Sequence, residues 1–298
     1  MTTAILPSAA AMSATAPALS ASDTRPPRGV LPGFGISLGF TLSYLSLLVL
    51  IPLAALFLRV AGLGPAGIWH ELGSPRVLHA LGLSFGGALA AAAINSVFGT
   101  LIAWTFVRYE FPLKKIFHAM IDLPFALPTA VAGIALTALY SEHGWLGAPL
   151  AQLGIKVAYT PLGVIIAMVF IGLPFVVRTL EPVLEEFEPQ FEEVAATLGA
   201  SRRQTIARVI FPTLVPALLT GTALAFARAV GEYGSVIFIA GNLPNVSEIA
   251  PLLIVIRLSE FRYADATAIA VVMLVASFLI IFAVNRLQRW AQTRIPAH

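Results

Sequence analysis

Long stretches without a charged side chain recur along the chain. Residues 36–58, 80–107, 123–140, 158–177 and 266–284 are uncharged. Residues 213–240 form a further apolar run, interrupted only by Arg228 and Glu232. A helix needs about 20 predominantly apolar residues to cross a bilayer core, so the pattern predicts six spans. The runs are continuous rather than alternating, which selects helices over a barrel. The 28 residues of 80–107 predict a span that tilts or extends beyond the bilayer. A shorter apolar piece, 251–258, cannot span and predicts an interfacial or re-entrant helix.

Composition agrees with that reading. Of 298 residues 58% are apolar and 11% are charged, against roughly 25% charged in a soluble domain. There is no cysteine, which excludes disulfides, thiolate zinc sites and cysteine nucleophiles. A net charge of +3 lends no electrostatic support to nucleic-acid binding. Residues 1–30 are rich in Ala, Ser, Thr and Pro. They lack the basic and apolar regions of a signal peptide and predict a disordered tail. With the N-terminus inside, the inner segments carry twelve lysines and arginines and the outer ones five. This bias predicts both termini in the cytoplasm.

The inner segment from Arg178 to Pro212 is too long for a structureless connection. Glutamates at 181, 185, 186, 188, 192 and 193 come first, then apolar residues, then Gly199, then Arg202, Arg203 and Arg208. Acidic residues suit a helix start, and glycine suits its end. The stretch 181–212 therefore predicts a helix, a turn at Gly199, and a second amphipathic piece that ends before Pro212. A solvated charged linker is the alternative on pattern alone.

Glu193-Val194-Ala195, Gly199 and Val209-Ile210-Phe211-Pro212 stand at the spacing of the EAA motif, and the segment resembles the coupling loop of ABC importer permeases. Val194, Val209 and Phe211 depart from that motif by apolar exchanges. Further stretches resemble the sulfate/thiosulfate branch of that superfamily: 102–112, 122–133 and, most strongly, 227–242. The last is more similar to the T-type subunit than to its W-type partner. The likeness covers about residues 35–290. It implies an all-α integral membrane protein with six transmembrane helices and a cytoplasmic coupling helix, the type I (MetI-like) permease fold. It also implies that Glu193, Ala195, Ala196, Gly199, Ala200 and Pro212 couple to an ATPase.

The implied role is translocation of sulfate or thiosulfate across the bacterial inner membrane, with molybdate or tungstate as the alternative. The implied partners are a W-type permease, two copies of a cytoplasmic ATPase, a periplasmic sulfate/thiosulfate-binding protein and membrane lipid. ATP and Mg would be held by the ATPase, with no cofactor in this chain. The residues agree: no Gly-Lys dipeptide occurs, so the phosphate-binding loop of an ATPase is absent.

Arg228 and Glu232 lie four apart and are expected on one face of the fifth span. An intramembrane arginine is costly, and pairing with Glu232 offsets part of that cost. The pair reads as a structural ion pair, as a lining of the translocation path or gate, or as an arginine snorkelling to the interface. Gly231 and Gly234 permit close approach or bending beside it. Asp122, ahead of Pro124 and Pro128, marks a bent helix start or a gate.

Gly82-Leu83-Ser84-Phe85-Gly86 matches the G-x-S-x-G pattern of a serine nucleophile. An intramembrane hydrolase would need a histidine base in a span. None of the five histidines falls mid-span, so the glycines read as packing positions. His70 and Glu71 are adjacent and diverge on a helix, without a second histidine to complete a metal site.

Overall fold

A computed structural model describes residues 33–187 and 190–294; the tail 1–30 lies outside them. All secondary structure among the described residues is helical. The described residues divide into two compact units, with the boundary after Leu53. The helix α1 (Phe34–Ala61) begins in the first and ends in the second.

Among the described residues five helices are long and apolar enough to cross a membrane. They are α1, α3 (Pro75–Arg108), α8 (Pro161–Glu186), α10 (Arg202–Val230) and the apolar part, Tyr263–Arg286, of α13 (Tyr263–Arg294). The shorter helices are α2 (Gly64–Leu72), α4 (Lys114–Ile121), α5 (Leu123–Ala126), α6 (Thr129–Tyr140), α7 (Gly147–Gln152), α9 (Gln190–Thr197), α11 (Val236–Ile239) and α12 (Ala250–Ser259). The apolar piece expected at 251–258 is α12.

The run 123–140, expected as one span, is not one helix. Leu127, with φ −84° and ψ 137°, is extended and separates α5 from α6. The ring of Pro128 disfavours helical geometry in the residue before it. What remains, α6, is only about 18 Å long.

The core of the second unit is the mutual packing of α3, α8 and α10. Small residues set their separation. A Cβ on Gly99 would fall 2.8 Å from Val176 Cγ1, and one on Gly221 would fall 3.0 Å from the Val176 Cα. Close backbones maximise dispersion contact where lipid supplies no hydrophobic drive. Polar contacts tie the same helices. The Ser96 and Thr222 hydroxyls are 2.6 Å apart, and the Asn95 amide donates to the Val169 carbonyl at 3.1 Å.

Candidate functional site

The loop between α8 and α10 is built differently from the sequence expectation at both ends. Glu181, Glu185 and Glu186 do not open a helix; they close α8. Glu181 is buried, and one of its carboxylate oxygens accepts from Arg178 at 2.8 Å. Glu192 and Glu193 stand in the first turn of α9, where the helix dipole favours them, and Glu188 lies outside the described residues.

The turn itself is as the spacing predicted. Gly199 has φ +81°, and nothing lies within 4 Å of where its Cβ would be, so conformation alone requires glycine there. The Gly199 amide donates to Ala196 and the Ala200 amide to Ala195, each at 3.0 Å. These two bonds form the Schellman closure of α9. Ala195 is buried beneath it, while Glu193 and Ala196 are exposed. Ser201 then restarts the chain: its hydroxyl accepts from the Gln204 amide, and the Gln204 side chain accepts from the Ser201 amide.

The second piece does not end before Pro212. It runs on as α10 without a break. A wide turn at Ile206–Ile210, in which the Phe211 amide donates to the Ile206 carbonyl, precedes the proline. This π-type turn absorbs the ring that would otherwise strike the preceding carbonyl. The same device, Ile51 to Ser46, precedes Pro52 in α1.

A second correction concerns Arg228 and Glu232. They do not share a helix, because α10 stops at Val230. Glu232 is 2% exposed and is fully engaged: one carboxylate oxygen accepts from Arg228 at 2.6 Å, the other from the Ser235 amide at 2.8 Å and hydroxyl at 3.0 Å. This side chain competes with the helical backbone and starts α11 instead. The Arg228 side chain is 34% exposed.

Gly234 packs so closely on Thr129 that a Cβ would lie 2.1 Å from its hydroxyl, and a Cβ on Gly133 would lie 2.4 Å from the Ser235 carbonyl. Gly231 makes no such approach; the nearest atom to its Cβ position is 4.0 Å away. The break after α10 therefore meets the break before α6. Irregular backbone at membrane depth is tolerated only where protein covers it or a cavity wets it, and paired broken helices are a recurrent way to build a transport site. Asp122 is anchored to α8 by a two-pronged pair with Arg178.

At the far ends of these helices α12 is clamped by residues that the sequence left unassigned. Arg76 donates to both carboxylate oxygens of Glu248, each at 2.7 Å, and Glu248 is buried. Arg257 reaches Glu71 at 2.9 Å, with both groups buried, and Arg262 reaches it at 3.2 Å. Glu71 is thus an ion-pair partner. Among the described residues no group of three or more His, Cys, Asp or Glu is placed to hold a metal. Ser84 is fully buried and accepts the Ala250 amide at 2.8 Å. Contacts across such separations leave no local pattern in a sequence.

Residues 95–296 match the binding-protein-dependent transport system inner membrane component family. The chain belongs to this family. Relatives span nearly the whole permease. The sulfate transport system permease protein CysT of Escherichia coli (strain K12) is 48% identical, over 91% of this chain and 98% of its own. That of Synechococcus elongatus (strain ATCC 33912 / PCC 7942 / FACHB-805) is 52% identical, over 85% and 91%.

Solved structures share the fold. A bacterial ABC transporter that imports the acidic polysaccharide alginate aligns with a TM-score of 0.67 at 17% identity, over 86% of this chain and 94% of its own. The inward-facing MetNI methionine ABC transporter aligns at 0.52 and 17%, over 72% and 94%. The permease therefore has the type I ABC importer fold, and α9, Gly199 and the paired breaks all lie within residues 95–296, which the family matches.

Proposed function

We propose that this chain is a translocating subunit of an ATP-driven importer for sulfate and thiosulfate, paired with a W-type permease on two copies of a cytoplasmic ATPase. The observation that carries the importer role is α9. It is closed by Gly199 and presents Phe191, Val194 and Leu198 outward, at 53%, 57% and 82% exposure. Those positions fall on one helical face, and an exposed apolar stripe beside an acidic first turn suits docking into a partner's groove. ATP and Mg are bound by that partner. The inner placement of α9 rests on the lysine and arginine bias.

The substrate class rests on the relatives, which are named for sulfate transport. The paired breaks are compatible with a dianion. Arg228 exposes part of its guanidinium, whereas Glu232 is buried and held by three donors. A guanidinium already paired with a carboxylate attracts a passing dianion only weakly, so affinity comes from a periplasmic binding protein. ATP-driven closure acts through α9, and the spans alternate between two states that bind the partner differently.

Uptake of radiolabelled sulfate into a sulfate-auxotrophic bacterium lacking this subunit tests the reading. Restoring the gene should restore uptake, with unlabelled thiosulfate competing and molybdate having little effect. No uptake with the protein assembled beside its ATPase would sink the substrate assignment. Competition by molybdate alone would move it to that anion.

A further inference from the structure

We infer that Arg108 is the positioning residue that ties the coupling helix α9 to the membrane-spanning bundle, so that a force on α9 reaches α3 through the Arg108–Glu192 ion pair. The inference rests on the importer role proposed above. Arg108 ends α3, and its Nη2 lies 2.5 Å from Glu192 Oε1 in the first turn of α9. An exposed pair of this kind contributes little. Here the Arg108 side chain is 20% exposed and that of Glu192 38%; the pair is a charge contact rather than a hydrogen bond, and the guanidinium sits over two rings, 5.2 Å from the centre of Trp104 and 5.8 Å from that of Phe187. Stacking on aromatic faces holds the planar cation in place before the carboxylate meets it. Phe187 in turn packs on Phe191 of α9, ring centres 5.5 Å apart.

The pair sits beside the surface offered to a partner. Phe191, Val194 and Leu198 are exposed, Ala195 is buried, and the half-buried Glu192 flanks that stripe. A pull on the outer stripe is therefore resisted on the Glu192 side. The last turns of α3 are also linked to α4 and α8. Phe106 stacks on His118 at 4.1 Å, and His118 Nδ1 is 3.5 Å from Glu181. A displacement entering at Arg108 thus reaches the end of α3 where three helices join. Spacing within the loop reveals none of this, because Arg108 lies outside it.

The experiment measures sulfate taken up per ATP hydrolysed by the full transporter in proteoliposomes. ATP-driven uptake by the unaltered complex is the control for the importer role, and its absence would reject that role rather than the tie. Given that control, Arg108→Ala should lower uptake per ATP by about fivefold or more, within the usual range of coupling energies, while hydrolysis continues. Arg108→Lys keeps the charge, loses the stacked plane and should fall between the two. Glu192→Gln should reproduce the loss, which decides the matter if Arg108→Ala does not assemble.

The chain contains no cysteine, so an Arg108→Cys/Glu192→Cys pair is the only thiol pair that a short bis-maleimide can bridge within it. The bridge should form in the assembled complex and raise uptake per ATP back toward the unaltered value. Unchanged coupling in Arg108→Ala and Glu192→Gln, failure of the bridge to form, or a bridged protein that stays uncoupled would overturn the assignment.

Discussion

The hydroxyl of Ser84 accepts the backbone amide of Ala250, 2.8 Å away and 166 positions along the chain. Helix α12 begins there, and its first amides have no partner within the helix. The serine of the G-x-S-x-G pattern is thus a capping acceptor inside the fold.

Ser84→Ala should destabilise the protein by about 1–3 kcal/mol, the usual cost of orphaning a buried donor. Thermal unfolding in detergent measures it, and faster amide exchange at Ala250 localises it. A fluorophosphonate should leave Ser84 unlabelled. Covalent labelling would revive the hydrolase reading.

Arg228 and Glu232 should respond unequally to substitution. Removing Arg228 strands a carboxylate that is 2% exposed, whereas removing the Glu232 charge strands a guanidinium that is 34% exposed. Arg228→Ala should therefore cost about 3–5 kcal/mol. Glu232→Gln, which can still accept from Ser235, should cost about 1–2 kcal/mol. The double variant should recover most of the stability of Arg228→Ala but not sulfate uptake. Recovery of uptake as well would make the pair purely structural.

Gly234→Ala places a methyl group 2.1 Å from the Thr129 hydroxyl and 2.9 Å from its Cβ. Overpacking of this kind costs about 1–3 kcal/mol. Adding Thr129→Gly should relieve the clash, and Gly231→Ala should be milder because the space there is open. Unfolding midpoints of the three proteins decide the point, and equal losses at Gly231 and Gly234 would contradict it.

At Gly199 the requirement is conformational. Gly199→Val forces a β-branched residue to φ +81°, whereas Asn tolerates that region. Gly199→Val should uncouple ATP hydrolysis from sulfate uptake, and Gly199→Asn should retain most of the coupling. A well-expressed Gly199→Val protein with normal uptake per ATP would remove Gly199 from the coupling turn.

The sequence by itself determined the features that depend on composition and local geometry. Uncharged runs announce membrane helices because lipid tolerates little else. The glycine after Glu193-Val194-Ala195 announces a left-handed turn because few residues adopt that backbone. Tertiary structure decided what depends on neighbours distant in sequence. Pro212 does not end a helix, since the Ile206–Ile210 turn widens to receive it and the packing of α10 carries the helix onward. Glu181 belongs to α8 rather than to the loop, where Arg178 of the same helix donates to it and His118 of α4 lies beside it. Glu232 breaks its helix because Ser235 completes its coordination, and Gly234 then closes on Thr129. Arg108 reaches Glu192 only when α3 and α9 are brought side by side. A charge's partner in a low-dielectric interior is set by which helices pack together, and no spacing along the chain encodes that.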